Sequence, residues 1–328
     1  MRRREFIALV GGAAVWPVAL TAQQSGTIPR IGVLWHAGNA EAEAAFIGPL
    51  RQGFSDLGYI AGKNIVFEDR YSKQDPALFE SFASELVRLK VDVLIANNIP
   101  GALALQRATS TIPIVFIGNP DPVGFKLVSS LGRPGGNITG VSSQAVDLVA
   151  KRVQLLKEAV PGLSHLALLI NPATQYEEDR AVSEMKLAAD KLQISVEPVL
   201  ARAADELGRA FSVIAERHFD AVVVAQHAMY FAERKKIAEF ALANRLPTMG
   251  PGDVFVDEGV LMYYGANWPA MMRQSASYVK RILSGEKPAD IPVQQPTKIE
   301  LVINLRTAKT LRLAIPTMLL ARADKVIE

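Results

Sequence analysis

Short apolar runs alternate with longer stretches of helical period along most of this chain. IGVLW (31–35) has the composition of a buried parallel strand. The stretch after it places Phe46, Leu50, Phe54 and Leu57 on one helical stripe that stops at Gly58. NIVFEDR (64–70) reads as a second strand. Asp75 before Pro76 is a cap and first-turn signal, and Leu78, Phe79, Phe82, Ala83, Leu86 and Val87 continue as an apolar helix face. VDVLIA (91–96) is a third strand, a short helix opens near Pro100, and PIVFI (113–117) is a fourth strand. This β-α-β-α-β-α-β order predicts a parallel sheet with helices on both faces.

GRPGGNITGVSS (132–143) breaks the rhythm with turn residues and predicts a first interdomain crossing. The pattern then restarts. Val149, Val153, Leu156 and Val160 form a helix stripe ending at Pro161 and Gly162. HLALLI (165–170), ISVEPV (194–199) and DAVVVA (220–225) are strands, separated by helices over 177–192 and 204–217 and followed by one over 231–243. VDVLIANN (91–98) and FDAVVVAQ (219–226) share an apolar run led by Asp and closed by amides. The similarity is topological, since buried strands draw on a small alphabet.

The chain therefore predicts two doubly wound α/β lobes in series. After GVLMYYG (259–265), Pro269 opens a helix carrying Met272, Ala276, Val279 and Leu283 and closed by Gly285. A proline-rich passage within 285–297 supplies a third crossing. The expected division is residues 28–141 with 267–295 in the N-terminal lobe, and 142–266 with 296–328 in the C-terminal lobe.

Length agrees, because 328 residues exceed the size at which a single core stops growing. The first 22 residues read as an export signal, with a basic start, an apolar stretch from Phe6 to Leu20 and a cut after Ala22. Arg3, Arg4, Phe6 and Ile7 also resemble the twin-arginine pattern, leaving the route open between the two export systems. Without Met1–Ala22, Lys+Arg falls from 36 to 33 and Asp+Glu from 33 to 32, so net charge drops from +3 to +1. A nearly neutral body lacks the basic footprint of a nucleic-acid partner. With no cysteine, thiolate chemistry, cysteine metal cages, disulfides and lipid anchoring through a cysteine are excluded.

STIPIVFIGNPDPVG (110–124), RPGGNITG (133–140) and GEKPADIPVQQPTKIELVINLRTAKTL (285–311) resemble the ABC transporter substrate-binding protein family that includes the tryptophan-type binding proteins. The resemblance extends over essentially the whole chain. It implies a type I periplasmic binding fold, a small solute in an interlobe cleft, a three-segment hinge, and a monomer that docks on an inner-membrane ABC permease from the periplasm. The sequence departs from related ones at Asn97, Asn98 and Ile99, where a hydroxyl or small residue is common. An aromatic amino acid is therefore not carried over as ligand.

In open α/β sheets, ligands sit beyond the carboxyl ends of the strands. Those ends give Trp35 and His36, Asn97 and Asn98, Asn119 and Asp121, Ser142 and Ser143, Asn171, Gln226 and His227, Asp253, and Tyr264. Amides and hydroxyls dominate, which suits a small polar or zwitterionic solute such as an amino acid or related compound. Each has a plainer reading: Trp35 as a cover for the sheet end, Asn119-Pro120-Asp121-Pro122 as a rigid turn with Asp121 capping a helix, Tyr264 as interlobe packing. GxSxG, HExxH and P-loop signatures are missing, and GPGDVF (250–255) fails the dinucleotide fingerprint. His36, His165, His218 and His227 lack metal-ligand spacing. No catalysis, cofactor or metal is expected. A sensory module presenting the same cleft to a membrane receptor kinase is the alternative to transport.

Overall fold

The computed structural model describes residues 28–145, 147–171, 175–296 and 298–328. The expected signal segment lies outside the described residues.

Strands β1 (Arg30–Trp35), β2 (Val66–Tyr71), β3 (Val93–Ala96), β4 (Ile114–Asn119) and β5 (Ile138–Ser142) form a wholly parallel sheet in the order β2-β1-β3-β4-β5. Helices α1 (Ala44–Asp56), α2 (Pro76–Arg88) and α3 (Ile99–Ala108) connect its strands. Local signals start the latter two. Asp75 accepts from the Ala77 N–H with Pro76 at the first position, and Asn98 accepts from the Gly101 N–H ahead of Pro100.

The second sheet has seven strands, ordered β12-β11-β10-β9-β8-β6-β7. They are β6 (His165–Ile170), β7 (Ser195–Leu200), β8 (Ala221–Val224), β9 (Thr248–Gly250), β10 (Met262–Ala266), β11 (Ile299–Asn304) and β12 (Lys325–Ile327). Helices α4 (Val149–Ala159), α5 (Gln175–Asp190), α6 (Leu207–Glu216), α7 (Ala228–Ala232), α8 (Arg234–Ala243) and α9 (Asp253–Asp257) accompany its first strands. The sequence predicts one helix over 231–243, but the chain turns at Glu233 between α7 and α8, with His227 capping the earlier piece.

The sequence predicts a parallel sheet here too, yet β11 runs antiparallel to β10. Between these strands the chain leaves for the first lobe, builds α10 (Trp268–Leu283) and returns. Because the connection passes through the other lobe, it need not be a right-handed parallel crossover. α11 (Leu305–Thr310) and α12 (Thr317–Leu320) complete the chain.

α10 packs against α1 so closely that a Cβ on Gly53 would lie 2.4 Å from the Arg273 carbonyl oxygen. Its buried face includes Met272, Ala276 and Val279, three of the predicted stripe residues. Alternation along β1 sends Ile31, Val33 and Trp35 towards α1 and Leu34 towards α2, so the sheet is covered on both sides. The segments between β5 and α4, between β10 and α10, and within 291–296 pass between the lobes, and Val141 bridges Gln294 beside the first of them.

Candidate functional site

The carboxyl ends of β1, β3 and β4 face that of β8 across the gap between the sheets. A cavity there takes His36, Asn97 and Asn98 from the first lobe and Gln226 and His227 from the second. Phe46, Phe231 and Trp268 form its apolar wall, in mutual edge-to-face contact with ring centroids 5.5 to 5.8 Å apart.

Beneath His36 lies a fully buried carboxylate. Glu43 Oε1 accepts from the Ala37 N–H at 2.7 Å and lies 2.9 Å from His36 Nδ1, while Asn97 Nδ2 donates to Oε2 at 3.4 Å. The Glu43 carboxylate thereby holds His36 and Asn97 in fixed orientations. Asn98 has both a structural and a lining position: its Oδ1 accepts from Gly101 N and its Nδ2 donates to Asn97 Oδ1. Opposite, His227 Nδ1 accepts from the Met229 N–H at 3.2 Å. Burial, with His36 nearby, lowers the His227 pKa to about 4, so its ring is neutral at neutral pH.

Gln226 stands between this cavity and a second one. Its Nε2 donates to the Gly118 carbonyl at 2.8 Å and its Oε1 accepts from Ser143 Oγ at 3.1 Å. The second cavity is lined by Asp121 and Phe125 from the first lobe and by Leu168, Asn171 and Arg180, among others, from the second. Arg180 Nη1 is 2.5 Å from Asp121 Oδ2, an ion pair between lobes. Arg152 also lines it, donating to the Tyr264 carbonyl at 2.7 Å and the Ala145 carbonyl at 3.3 Å. Arg152 thereby ties two crossings together, and burial depresses its pKa against the opposing influence of Tyr263 and Tyr264.

Of the sequence candidates, His36, Asn97, Asn98, Gln226 and His227 meet in one cavity, and Asp121, Asn171 and Gln226 meet in the other. Ser142 and Ser143 support the boundary between them, Ser142 by donating to the Asn119 carbonyl. Asn119 is itself buried there, with Oδ1 accepting from Asp121 N. Asp121 caps a turn at Gly124 rather than a helix. The Asn171 amide donates to the Arg202 carbonyl and to Met229 Sδ.

Trp35, Asp253 and Tyr264 line neither cavity. The pleat turns Trp35 beneath α1, where it is fully buried and its Nε1 donates to Asp69 Oδ1 on β2. Asp253 opens α9, where burial raises its pKa. The Tyr264 ring packs against the core on the α4 face of its sheet. Glu43, Phe46, Phe231, Trp268, Arg152 and Arg180 were missed because each reads in sequence as an ordinary helix residue. Trp268 alone carried a usable signal, an aromatic at a capped helix start beside a crossing: Asn267 accepts from Ala270 N and Pro269 follows.

This arrangement of two lobes around a cavity supplied by both is that of a solute receptor. Residues 38–327 match the model of the ABC transporter substrate binding protein family. The chain belongs to that family. Among its relatives is a tyrosine-binding protein of Clostridioides difficile (strain R20291), 26% identical over 276 residues, which are 84% of this chain and 78% of the relative. The structure of an ABC domain in complex with L-Trp from Streptococcus pneumonia superimposes with a TM-score of 0.84 at 24% identity, over 92% of this chain and all of the other. A ligand-free, open structure of a substrate binding protein with adhesive properties from Clostridium difficile matches over 92% of this chain and 99% of its own, with a TM-score of 0.66 at 24% identity. The fold is thus that of type I periplasmic binding proteins, and the chain is a substrate-binding protein of the ABC transporter class. Among the described residues no helix is long and apolar enough to span a membrane, and no group of His, Asp and Glu is arranged to hold a metal ion.

Proposed function

We propose that this substrate-binding protein is exported to the periplasm, captures a small polar organic solute between its lobes, and delivers it as a monomer to an inner-membrane ABC permease. The solute is an amino acid or a related compound. The lobes comprise residues 28–141 with 267–295, and 142–266 with 296–328. The observation that carries this reading is the cavity to which His36, Asn97 and Asn98 contribute from one side and Gln226 and His227 from the other. A solute touching both sets stabilises the closed arrangement, because its contacts exist only when the lobes meet.

The ligands named for the relatives, tyrosine and L-Trp, support an amino-acid-like solute, and the aromatic wall of Phe46, Phe231 and Trp268 is compatible with a ring. Specificity comes from buried amides and imidazoles that a mismatched solute leaves without partners. The better superposition on the L-Trp complex than on the open, ligand-free structure is consistent with a closed form here. Binding and release require no covalent step.

The test is a thermal-shift screen of the chain from Gln23 onward against amino acids, aromatic acids and small polar metabolites, followed by calorimetry. A solute at about 100 times its dissociation constant adds roughly 2.7 kcal/mol to stability. The reading predicts a saturable shift accompanied by a smaller radius of gyration in solution scattering. A folded, ligand-stripped protein that responds to nothing in a broad panel would count against it.

A further inference from the structure

Arg152, on α4, is a buried cation, only 7% exposed, whose bonds all go to neutral groups. Nε donates to the Tyr264 carbonyl at 2.7 Å and Nη1 to the Ala145 carbonyl at 3.3 Å. Among the described residues no carboxylate pairs with it, and the groups that oppose the effect of burial on its charge are Tyr263 and Tyr264. A guanidinium does not relieve such burial by losing its proton, as a lysine or histidine can. An unbalanced buried charge is among the costliest arrangements in a folded protein, so this position calls for an anion.

Nη2 is the atom left to take one. It has no hydrogen-bond partner among the described residues and does not belong to the polar atoms sealed inside the protein without one, so it opens into the cavity that Arg152 lines. This is the larger of the two interlobe cavities. Val149, Leu168, Ile170, Met185 and Val223 from the second lobe and Phe125 from the first give it a largely aliphatic wall. The other polar groups on the wall are engaged: Asp121 with Arg180 and the Gly124 N–H, Gln226 with Gly118 and Ser143, and the Asn171 amide nitrogen with Arg202 and Met229. Arg152 and Arg180 against Asp121 leave one positive charge in excess.

We infer that this second cavity is a binding site in its own right, for a small aliphatic monocarboxylate whose carboxylate rests on Arg152 Nη2 and whose hydrocarbon chain lies against the aliphatic wall. Gln226 separates it from the cavity of His36 and His227, and the inference goes beyond the receptor reading. A carboxylate balances the buried charge through a charge-assisted hydrogen bond, and the chain adds apolar burial. An amino acid is selected against, because its ammonium has only Asp121 to meet and would have to displace Arg180 from it. A neutral amide leaves the charge unbalanced. Arg152 holds carbonyls beside two of the crossings and the wall is drawn from both lobes, so occupancy favours the arrangement in which the lobes meet.

Calorimetry on the chain from Gln23 onward, in chloride-free buffer, with acetate, propionate, butyrate and valerate tests this, with butyramide and 2-aminobutyrate as matched controls. Affinity should rise about fourfold with each added CH₂ until the wall ends. Butyramide and 2-aminobutyrate should bind at least about tenfold more weakly than butyrate. Arg152→Gln should lower butyrate affinity about tenfold to hundredfold. Because that change also removes bonds at the hinge, Ala225→Leu is the second variant. Ala225 lines the cavity, so the larger side chain narrows the space for the hydrocarbon chain and leaves Arg152 in place. It should flatten the chain-length series while acetate affinity stays within about twofold. A crystal structure with butyrate should place the carboxylate on Arg152. Controls that bind as tightly as butyrate, a chain-length series that Ala225→Leu does not change, butyrate found among His36, Asn97 and His227, or a folded protein that binds none of the four carboxylates overturns the inference and leaves the receptor reading standing. The receptor reading fails separately, on the solute panel, since the carboxylate titrations are read without solute.

Discussion

Gln226 Nε2, just beyond the end of β8, donates to the carbonyl of Gly118 in β4 at 2.8 Å, so a single side-chain amide joins the two sheets. Its oxygen accepts from Ser143 on the first crossing, which leaves the amide little freedom to turn. Gln226→Leu removes both bonds, and the Gly118 carbonyl loses its interlobe partner. The closed form should lose about 1–3 kcal/mol, and solute affinity should fall about tenfold. Scattering from the ligand-free variant should show a larger radius of gyration than wild type. An unchanged radius together with unchanged affinity would mean that the amide does not hold the lobes together.

The Asp121–Arg180 pair is a further polar connection between the lobes, and its salt dependence separates it from Gln226. With the Arg180 side chain 35% exposed and that of Asp121 14% exposed, solvent screening limits the pair to about 1 kcal/mol. Asp121→Asn should weaken solute binding roughly fivefold at low ionic strength and by much less in about 0.5 M salt. Calorimetry at the two salt concentrations decides the matter, and a loss independent of salt would point to a role other than charge.

Gly118 sits at φ 73°, and a Cβ added there would meet Trp268 ring carbons at 2.4 Å. Both the left-handed backbone and the indole oppose a side chain, so Gly118→Ala should destabilise the protein by about 2–4 kcal/mol in urea unfolding. A Cβ added at Gly136 would meet nothing within 4 Å. Gly136→Ala is therefore the control and should change stability by less than about 1 kcal/mol.

The neutral His227 makes stability depend on pH in a defined window. Its folded pKa of about 4 lies below the ordinary value of 6.5, so between these limits the unfolded chain binds the proton and the folded chain does not. Stability is then complete above 6.5 and falls as pH drops towards 4, by about 3 kcal/mol for this group. Urea denaturation at pH 6.5 and pH 4.5 should show a steeper loss in wild type than in His227→Asn. Equal losses would show that this imidazole accepts a proton in the folded state.

Local signals explain why much of the fold was legible. The Asp75-Pro76 start, the short apolar runs and the Gly-rich break near residue 135 act over a few residues, and the observed β1, α2 and β5 follow them closely. The helix expected over 231–243 is divided because the cap at His227 begins a turn that propensity alone does not reveal. Trp35 illustrates the limit at the site. Its place at a strand end was readable, but burial beneath α1 and the bond to Asp69 depend on which face of the sheet α1 covers.

By itself, the sequence determined the succession of strands and helices and the division into two α/β units, because periodicity, capping and turn chemistry act between near neighbours, while separated motifs carried the resemblance to the family. Only the tertiary structure decided that His36 and His227 open into the same cavity, that Glu43 lies beneath one of them, and that Trp268 returns from the far side of the hinge to wall it. Those meetings depend on strand order, on the pleat, and on the path by which β10 reaches β11 through the other lobe. Apart from Glu43, which lies seven residues from His36, they are relations between distant segments, and no short window of the chain contains both partners.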